Sequence, residues 1–397
     1  MIPIGEQKQS GEFALFNLGF RPFFLLAGAF AVVAVALWMY AYLQGWQRPP
    51  YGLTAMAWHG HEMIFGYALA VIAGFLLTAV RNWTQVPTLH GLALLLLCLL
   101  WLVGRIMPLF PHVFPLELAA LADGLFLVLL MAAVAVPIVK ARKWQNLIVV
   151  AVLAALLAAQ ALFFLGALGE WDEGVRYGLY SGLYLIVLLI FIIGRRVMPF
   201  FIERGVGYPV TVVNRAWLDI TTPGLFVLFW LSDLVWPDSP AVALLAGLLC
   251  LLHGLRLSGW YTPGIWRRPL LWVLFLAYAW LVVGFALKAA VYLVDSPPSL
   301  ALHAFAYGGI GLMTLGMMAR VAWGHTGRDI ARPPALMSWA FALLFVGALI
   351  RVLLPLLLPA LYGSWMVLSQ VLWIAAFMLF CYVYAPILVK PRFGGTG

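Results

Sequence analysis

Charged residues are scarce in this chain of 397 residues. Asp, Glu, Lys and Arg together make up 9% of it, whereas hydrophobic residues make up 65%. Soluble domains carry roughly 25% charged and about 45–50% apolar residues. The mean hydropathy is +1.04. A water-soluble globule has nowhere to bury this much apolar surface, so the composition excludes the soluble enzyme classes and indicates an all-α integral membrane protein.

Cysteine is almost absent, and nucleotide-binding features are missing. Cys98, Cys250 and Cys381 stand singly in apolar runs without any CxxC pair, which excludes a disulfide framework and a zinc knuckle. No GxxxxGK[ST] sequence occurs, and no connector exceeds about 20 residues. The sequence therefore argues against ATP-driven transport by this chain alone.

Long apolar runs are what the chain does have. A spanning helix needs about 20 mostly apolar residues, and twelve such runs occur. The first follows a polar start without a small-residue cleavage site, so we interpret it as a retained helix and not as a signal peptide. The runs centre on Ala31, Leu69, Leu97, Leu127, Ala155, Leu185, Leu225, Leu248, Tyr278, Met313, Phe345 and Ile374.

The basic residues predict the orientation of these helices. The net charge is +9, but the charges lie in short connectors, which argues against a nucleic-acid partner. The N-terminus, the even-numbered connectors and the C-terminus hold 18 of the 23 Lys and Arg residues, whereas the odd-numbered connectors hold only Arg48 and Arg176. This asymmetry predicts one polytopic domain over residues 1–397, with both termini and the segment 1–18 in the cytoplasm.

Predicted helices two and ten share a pattern. His61 and His303 are each followed by glycine at +5 and at +13. The helices before them start with Arg21-Pro22 and Arg268-Pro269, and the helices after them end near Arg105 and Arg351. Three consecutive helices thus share a sequence pattern with three others, and we predict an internal repeat of helices 1–3 and 9–11.

The repeated ionisable residues form a candidate cofactor site. Placing an ionisable group within a bilayer costs free energy, so such groups usually face a cavity or a partner. Two neutral imidazoles, His61 and His303, can supply axial ligands to haem. The guanidinium groups of Arg105 and Arg351 can pair with its propionates. The alternative is that the histidines reach water at the interface and the arginines anchor helix ends.

The string Trp58-His-Gly-His-Glu62 adds further candidates. His59 and His61 point about 200° apart on a helix, so they cannot share one metal if both are helical. One can ligate haem while the other meets copper or a substrate. Glu62 can deliver protons, or it is an acidic residue favoured in a first helical turn. Asp123, inside helix four, is either a proton site or a partner of Arg105.

A second group lies at the predicted cytoplasmic ends. His325 lies 22 residues beyond His303, about 33 Å along a helix, so these two cannot share one metal. His253, near the same end of helix eight, can meet His325 in the fold. The group is either a second metal centre or a structural cluster of cationic helix ends.

Several of these strings resemble the NnrS family. They run from predicted helix one to predicted helix ten, and two of them contain His59, His61 and His325. The strings are FNLGFRPFF (16–24), WHGHE (58–62), GFLLT (74–78), GRRVMP (194–199) and GHTGR (324–328).

The resemblance implies a bacterial inner-membrane protein with twelve helices that contains haem and copper and acts in the response to nitric oxide. It implies His59, His61, His303 and His325 as ligand candidates, without assigning a metal to each. The implied partners are nitric oxide or another small gas ligand, membrane lipid and an unidentified electron donor. The family's reaction is not settled, so oxidoreductase activity stays open.

Three hypotheses follow. The leading one is a haem and copper protein that binds or reduces nitric oxide at a site inside the bilayer. The alternative is a secondary transporter or metal exporter without haem, in which the Gly-rich helix ten breaks near the midplane. A nitric oxide sensor ranks last, because the short loops offer little docking surface.

Overall fold

The computed structural model describes residues 13–46, 50–290 and 297–393. Within these residues it contains no strand, and twelve helices are long and apolar enough to cross a membrane. The twelve predicted helices are confirmed, since each contains the residue predicted as its centre. They are α1 (Phe20–Gln44), α2 (Ala55–Thr84), α3 (Gly91–Leu109), α4 (Leu116–Lys140), α5 (Trp144–Ala167), α6 (Gly174–Gly205), α7 (Ala216–Val235), α8 (Pro240–Trp260), α9 (Pro269–Ala289), α10 (Ser299–His325), α11 (Ala335–Leu357) and α12 (Pro359–Val389).

The chain divides into two compact units. Unit one comprises the described residues up to Gly182 together with Arg320–Asp329 and the chain from Phe380. Unit two comprises Leu183–Ala319 and Ile330–Leu379. The cytoplasmic placement of both termini and the single polytopic domain stay predictions. Arg48 and residues 1–12 of the predicted N-terminal segment lie outside the described residues.

Helices α2 and α10 are the most buried of the twelve described spans. In their most apolar stretches 83% and 78% of the residues are buried, against at most 61% elsewhere. Glycines let the preceding helix approach closely. A Cβ on Gly74 would lie 2.9 Å from the ring of Phe24 in α1, and one on Gly316 would lie 2.8 Å from Leu274 in α9. The glycine at +13 after each histidine therefore has the same packing role in both units.

Both histidine helices contain a π-helical segment. In α2 it spans Glu62–Ala68, directly after His61, and in α10 it spans Ala304–Gly311, directly after His303. Such segments are rare and occur frequently at functional sites. The repeated sequence pattern is thus accompanied by the same backbone irregularity. Helix α10 does not break in its Gly-rich stretch but continues to His325.

Arg21 joins the start of α1 to the end of α12 within unit one. Its side chain is 1% exposed, and Nη1 donates hydrogen bonds to the carbonyls of Leu388 (2.8 Å) and Lys390 (2.7 Å). Carbonyls at a helix C-terminus lack partners within the helix and carry partial negative charge. The arginine of the FNLGFRPFF string therefore caps the last helix.

The glycine packing gives a stability prediction. Gly74→Ala forces a methyl group against Phe24 and should lower the free energy of unfolding by about 1–3 kcal/mol through overpacking. Gly124→Ala in α4 is the matched control, since a Cβ there meets nothing within 4 Å among the described residues. Thermal unfolding in detergent measures both variants. An unchanged transition for Gly74→Ala would contradict the packing role.

Candidate functional site

Three helices of unit one bring four ionisable side chains together. Helix α2 carries His61 directly before its π segment and Glu62 at the start of that segment, α3 carries Arg105, and α4 carries Asp123. Nη1 of Arg105 donates to Oε2 of Glu62 at 2.6 Å, and Nη2 donates to Oδ1 of Asp123. All four residues are at most 6% exposed. The expectation that Asp123 bonds Arg105 is confirmed.

Two carboxylates contact one guanidinium in this cluster. With Glu62 and Asp123 ionised and the imidazole neutral, the formal net charge is −1. A buried charge without compensation is strongly destabilising. Gly104, next to Arg105, permits the close approach of α4, because a Cβ there would collide with Oδ1 of Asp123.

The imidazole of His61 is held in one orientation. Nδ1 lies 3.0 Å from Oε1 of Glu62, and an ionised carboxylate requires the proton to sit on Nδ1. The ring stacks on Phe163 with a centroid distance of 4.5 Å. Nε2 is buried without a hydrogen-bond partner in the described part of the chain, 3.5 Å from Oδ2 of Asp123. A carboxylate on one ring nitrogen is the arrangement of a metal-ligating histidine, whose other nitrogen binds the metal.

His61 and Asp123 line a small cavity in unit one. Its volume is about 20 Å³, which is room for about one water-sized molecule. Aromatic and aliphatic side chains form most of the wall, and the polar groups of the cluster form the rest. The lining residues are Tyr51, Leu53, Trp58, His61, Glu62, Pro108, Leu116, Ala119, Asp123, Phe163 and Phe164.

The second histidine of the repeat has a different environment. In unit two, Nδ1 of His303 lies 2.7 Å from the carbonyl of Ser299, and Nε2 accepts from Nη2 of Arg351 at 3.0 Å. Nη1 of Arg351 contacts Sδ of Met366. Ala304 follows His303 where Glu62 follows His61. Both ring nitrogens of His303 are therefore engaged, and its ligand role stays a prediction.

The other candidate histidines make separate contacts within their own units. His59 stacks on Trp38 at 4.6 Å, and His325 packs against Phe20 at 5.7 Å, both in unit one. In unit two, His253 is fully buried, and Nδ1 lies 2.7 Å from the hydroxyl of Tyr278. No group of three or more His, Cys, Asp or Glu side chains within the described ranges is arranged to hold a metal.

A family model described as NnrS protein matches residues 14–392, nearly the whole chain. The chain belongs to the NnrS family. It is thus a multi-pass membrane protein of a family that acts in the nitric oxide response. A search of curated proteins finds no significant match. The matched region contains the whole His61 cluster of this NnrS protein.

Sequence reasoning missed two features of the NnrS chain. Asp233 is 1% exposed, and its carboxylate accepts from the hydroxyl of Tyr184 and from Nζ of Lys288, both at 2.6 Å in unit two. A carboxylate in an apolar run was the available signal. Tyr51, which lines the His61 cavity, gave no signal, because it lies in a connector between predicted helices.

The buried ion pairs predict a large effect of removing Arg105. Arg105→Gln leaves two buried carboxylates without a countercharge and should cost about 3–5 kcal/mol of stability. Adding Glu62→Gln and Asp123→Asn to this variant should restore part of the loss. Thermal unfolding in detergent measures all of them.

The control is Arg176→Gln. Arg176 forms an exposed ion pair with Glu173 at 2.6 Å, and such pairs contribute at most about 1 kcal/mol. Equal losses in Arg105→Gln and Arg176→Gln would show that the His61 cluster does not depend on its central cation.

Proposed function

We propose that this protein acts in the nitric oxide response through a metal ion held at His61, where it binds or reduces nitric oxide within the bilayer. The observation that supports this is that Nε2 of His61 is buried without a hydrogen bond in the described part of the chain, 3.5 Å from Oδ2 of Asp123, and that both residues line a small cavity. Nitric oxide partitions into lipid, so it reaches a site between membrane helices without a dedicated pore.

The distance between the two candidate ligand atoms suits one ion. Two ligands of a tetrahedral ion with bonds of about 2.0–2.1 Å lie roughly 3.3–3.4 Å apart. Nε2 of His61 and Oδ2 of Asp123 are 3.5 Å apart. Imidazole is a common ligand of copper, zinc and iron. A cation there also offsets the net charge of −1, so the residues fit copper, with His61 and Asp123 holding it.

Haem does not fit the same place. A cavity of about 20 Å³ has room for a small molecule beside an ion held between Nε2 of His61 and Oδ2 of Asp123, whereas a porphyrin ring is many times larger. The ring of His303 offers no unengaged nitrogen, because Ser299 and Arg351 occupy both. Of the two cofactors that the resemblance implies, copper therefore suits the pair of His61 and Asp123, and haem does not fit the cavity that they line.

The side chains of the cluster have separate tasks in this proposal. Bound copper supplies a coordination position for nitric oxide and a change of one electron. Glu62 orients the imidazole through Oε1 and pairs with Arg105 through Oε2, so both of its oxygens are engaged. Its geometry favours an orienting role over the predicted proton delivery. Phe163 and Phe164 form an apolar part of the cavity wall that limits the access of water.

Transport is the second candidate function. Its support is the π segment in both α2 and α10 and the buried charges beside them, since irregular helices near ionisable groups are typical of transporter sites. Under this alternative the purified protein holds neither copper nor haem, and it moves a solute across proteoliposome membranes.

His61 is the residue that tests the proposal. His61→Ala should remove most of the bound copper and most of the nitric oxide binding, because it deletes the unpartnered Nε2. Copper and haem are quantified in detergent-purified protein, with visible and infrared spectra before and after nitric oxide is added. The control is His112→Gln in an exposed connector, which should behave like the wild type.

Two results would overturn the proposal. Copper content and nitric oxide binding that are unchanged in His61→Ala would exclude His61 as the ligand. A wild-type protein without metal that transports a solute would favour the second candidate. A Soret band that disappears in His61→Ala would contradict the conclusion that haem does not fit.

Glu62 gives a graded prediction at the same site. Glu62→Gln removes the charge that orients His61 and should weaken copper affinity by roughly 10–100-fold, the usual effect of losing a hydrogen-bond partner of a ligand. Competition with a copper chelator measures it. A wild-type affinity would mean that Glu62 does not orient the ligand.

A further inference from the structure

Tyr51 lies in an unusual backbone conformation beside the His61 cavity. It belongs to the short turn Pro50–Gly52 that precedes α2, with φ 55° and ψ 22°. This is the left-handed region, which is uncommon for residues other than glycine and a real outlier for a bulky side chain. Such conformations persist where the surroundings hold them in place, and they cluster at ligand-binding sites.

This backbone conformation places the ring of Tyr51 against an apolar cluster and beside the cavity. The ring packs against the apolar cluster that contains Leu116, Phe163 and Phe164, and it lines the same cavity as His61. The hydroxyl oxygen is buried and has no hydrogen-bond partner in the described ranges. Buried tyrosine hydroxyls almost always have a partner. An unpartnered hydroxyl at a ligand-sized cavity therefore points to a bound molecule as its partner.

The hydroxyl is a donor at physiological pH. Burial of the ring and the negative charge of Glu117, in the first turn of α4, both raise the pKa of Tyr51 above its ordinary value of 10.0. The phenol thus keeps its proton across the neutral range. The cavity is also lined by Asp123, whose ionised carboxylate is an acceptor, and by His61. Tyr51 adds an O–H donor to the polar groups that line the cavity.

We propose that the Tyr51 hydroxyl donates a hydrogen bond to a small acceptor molecule bound in the His61 cavity and thereby positions it. The ligand class is a molecule of one or two heavy atoms with an acceptor atom, with nitric oxide as the probe. The inference rests on the proposed function and adds a positioning residue to it. An apolar molecule of the same size would gain nothing from the hydroxyl.

Tyr51→Phe tests the proposal, because it keeps the ring and removes the donor. Nitric oxide is added to copper-loaded protein, and the infrared N–O stretching band is recorded in H₂O and in D₂O. The wild-type band should shift between the two solvents, and the band of Tyr51→Phe should not. Nitric oxide affinity should fall about 3–10-fold, while copper content stays the same. The control is Tyr40→Phe, an exposed tyrosine in α1.

The outcomes separate this inference from the proposed function. If His61→Ala loses copper while Tyr51→Phe keeps the solvent-dependent band and the affinity of the wild type, the positioning role is wrong and the metal site stands. If His61→Ala changes nothing, both fail. A wild-type band without any D₂O shift overturns the hydrogen bond on its own, and this measurement needs no variant that folds.

Discussion

The burial of Arg105 between two carboxylates is the constraint on which the site depends. In a setting with little water, each of these charges requires a countercharge at contact distance. Arg105 meets Glu62 and Asp123 at once and so ties α3 to α2 and α4. Glu62, held on one oxygen by Arg105, orients His61 with the other. The orientation of the His61 imidazole, and with it the position of Nε2, thus follows from the ion pair between Glu62 and Arg105.

The two units use one framework for different chemistry. Each places a histidine before a π segment and an arginine on a following helix, and in unit one the carboxylates of Glu62 and Asp123 contact both of them. In unit two, Ala304 follows His303 where Glu62 follows His61, and Arg351 contacts Sδ of Met366 and donates to Nε2 of His303. Small changes beside a repeated histidine therefore decide whether its nitrogen is left for a ligand.

Some of the distinctive strings have structural roles. Arg21 of FNLGFRPFF caps the last helix. In GHTGR, Thr326 is fully buried and bonds the carbonyl of Ala322. Gly327 adopts φ +83° where a Cβ would meet the carbonyl oxygen of Phe393. These residues end α10 and dock the C-terminal segment, whereas WHGHE supplies the site.

The sequence by itself determined the twelve helices, because a bilayer offers the backbone no partner and an apolar run of sufficient length must satisfy its own hydrogen bonds. The sequence also showed that His61 and His303 occupy equivalent positions in a repeated pattern, and it indicated the family. Only the tertiary structure decided that Glu62 and Asp123 share Arg105, that His303 is engaged on both nitrogens, and that Tyr51 borders the cavity. These contacts join residues far apart in the chain, and they depend on the rotation and depth of each helix. Local apolar patterning does not specify either of these.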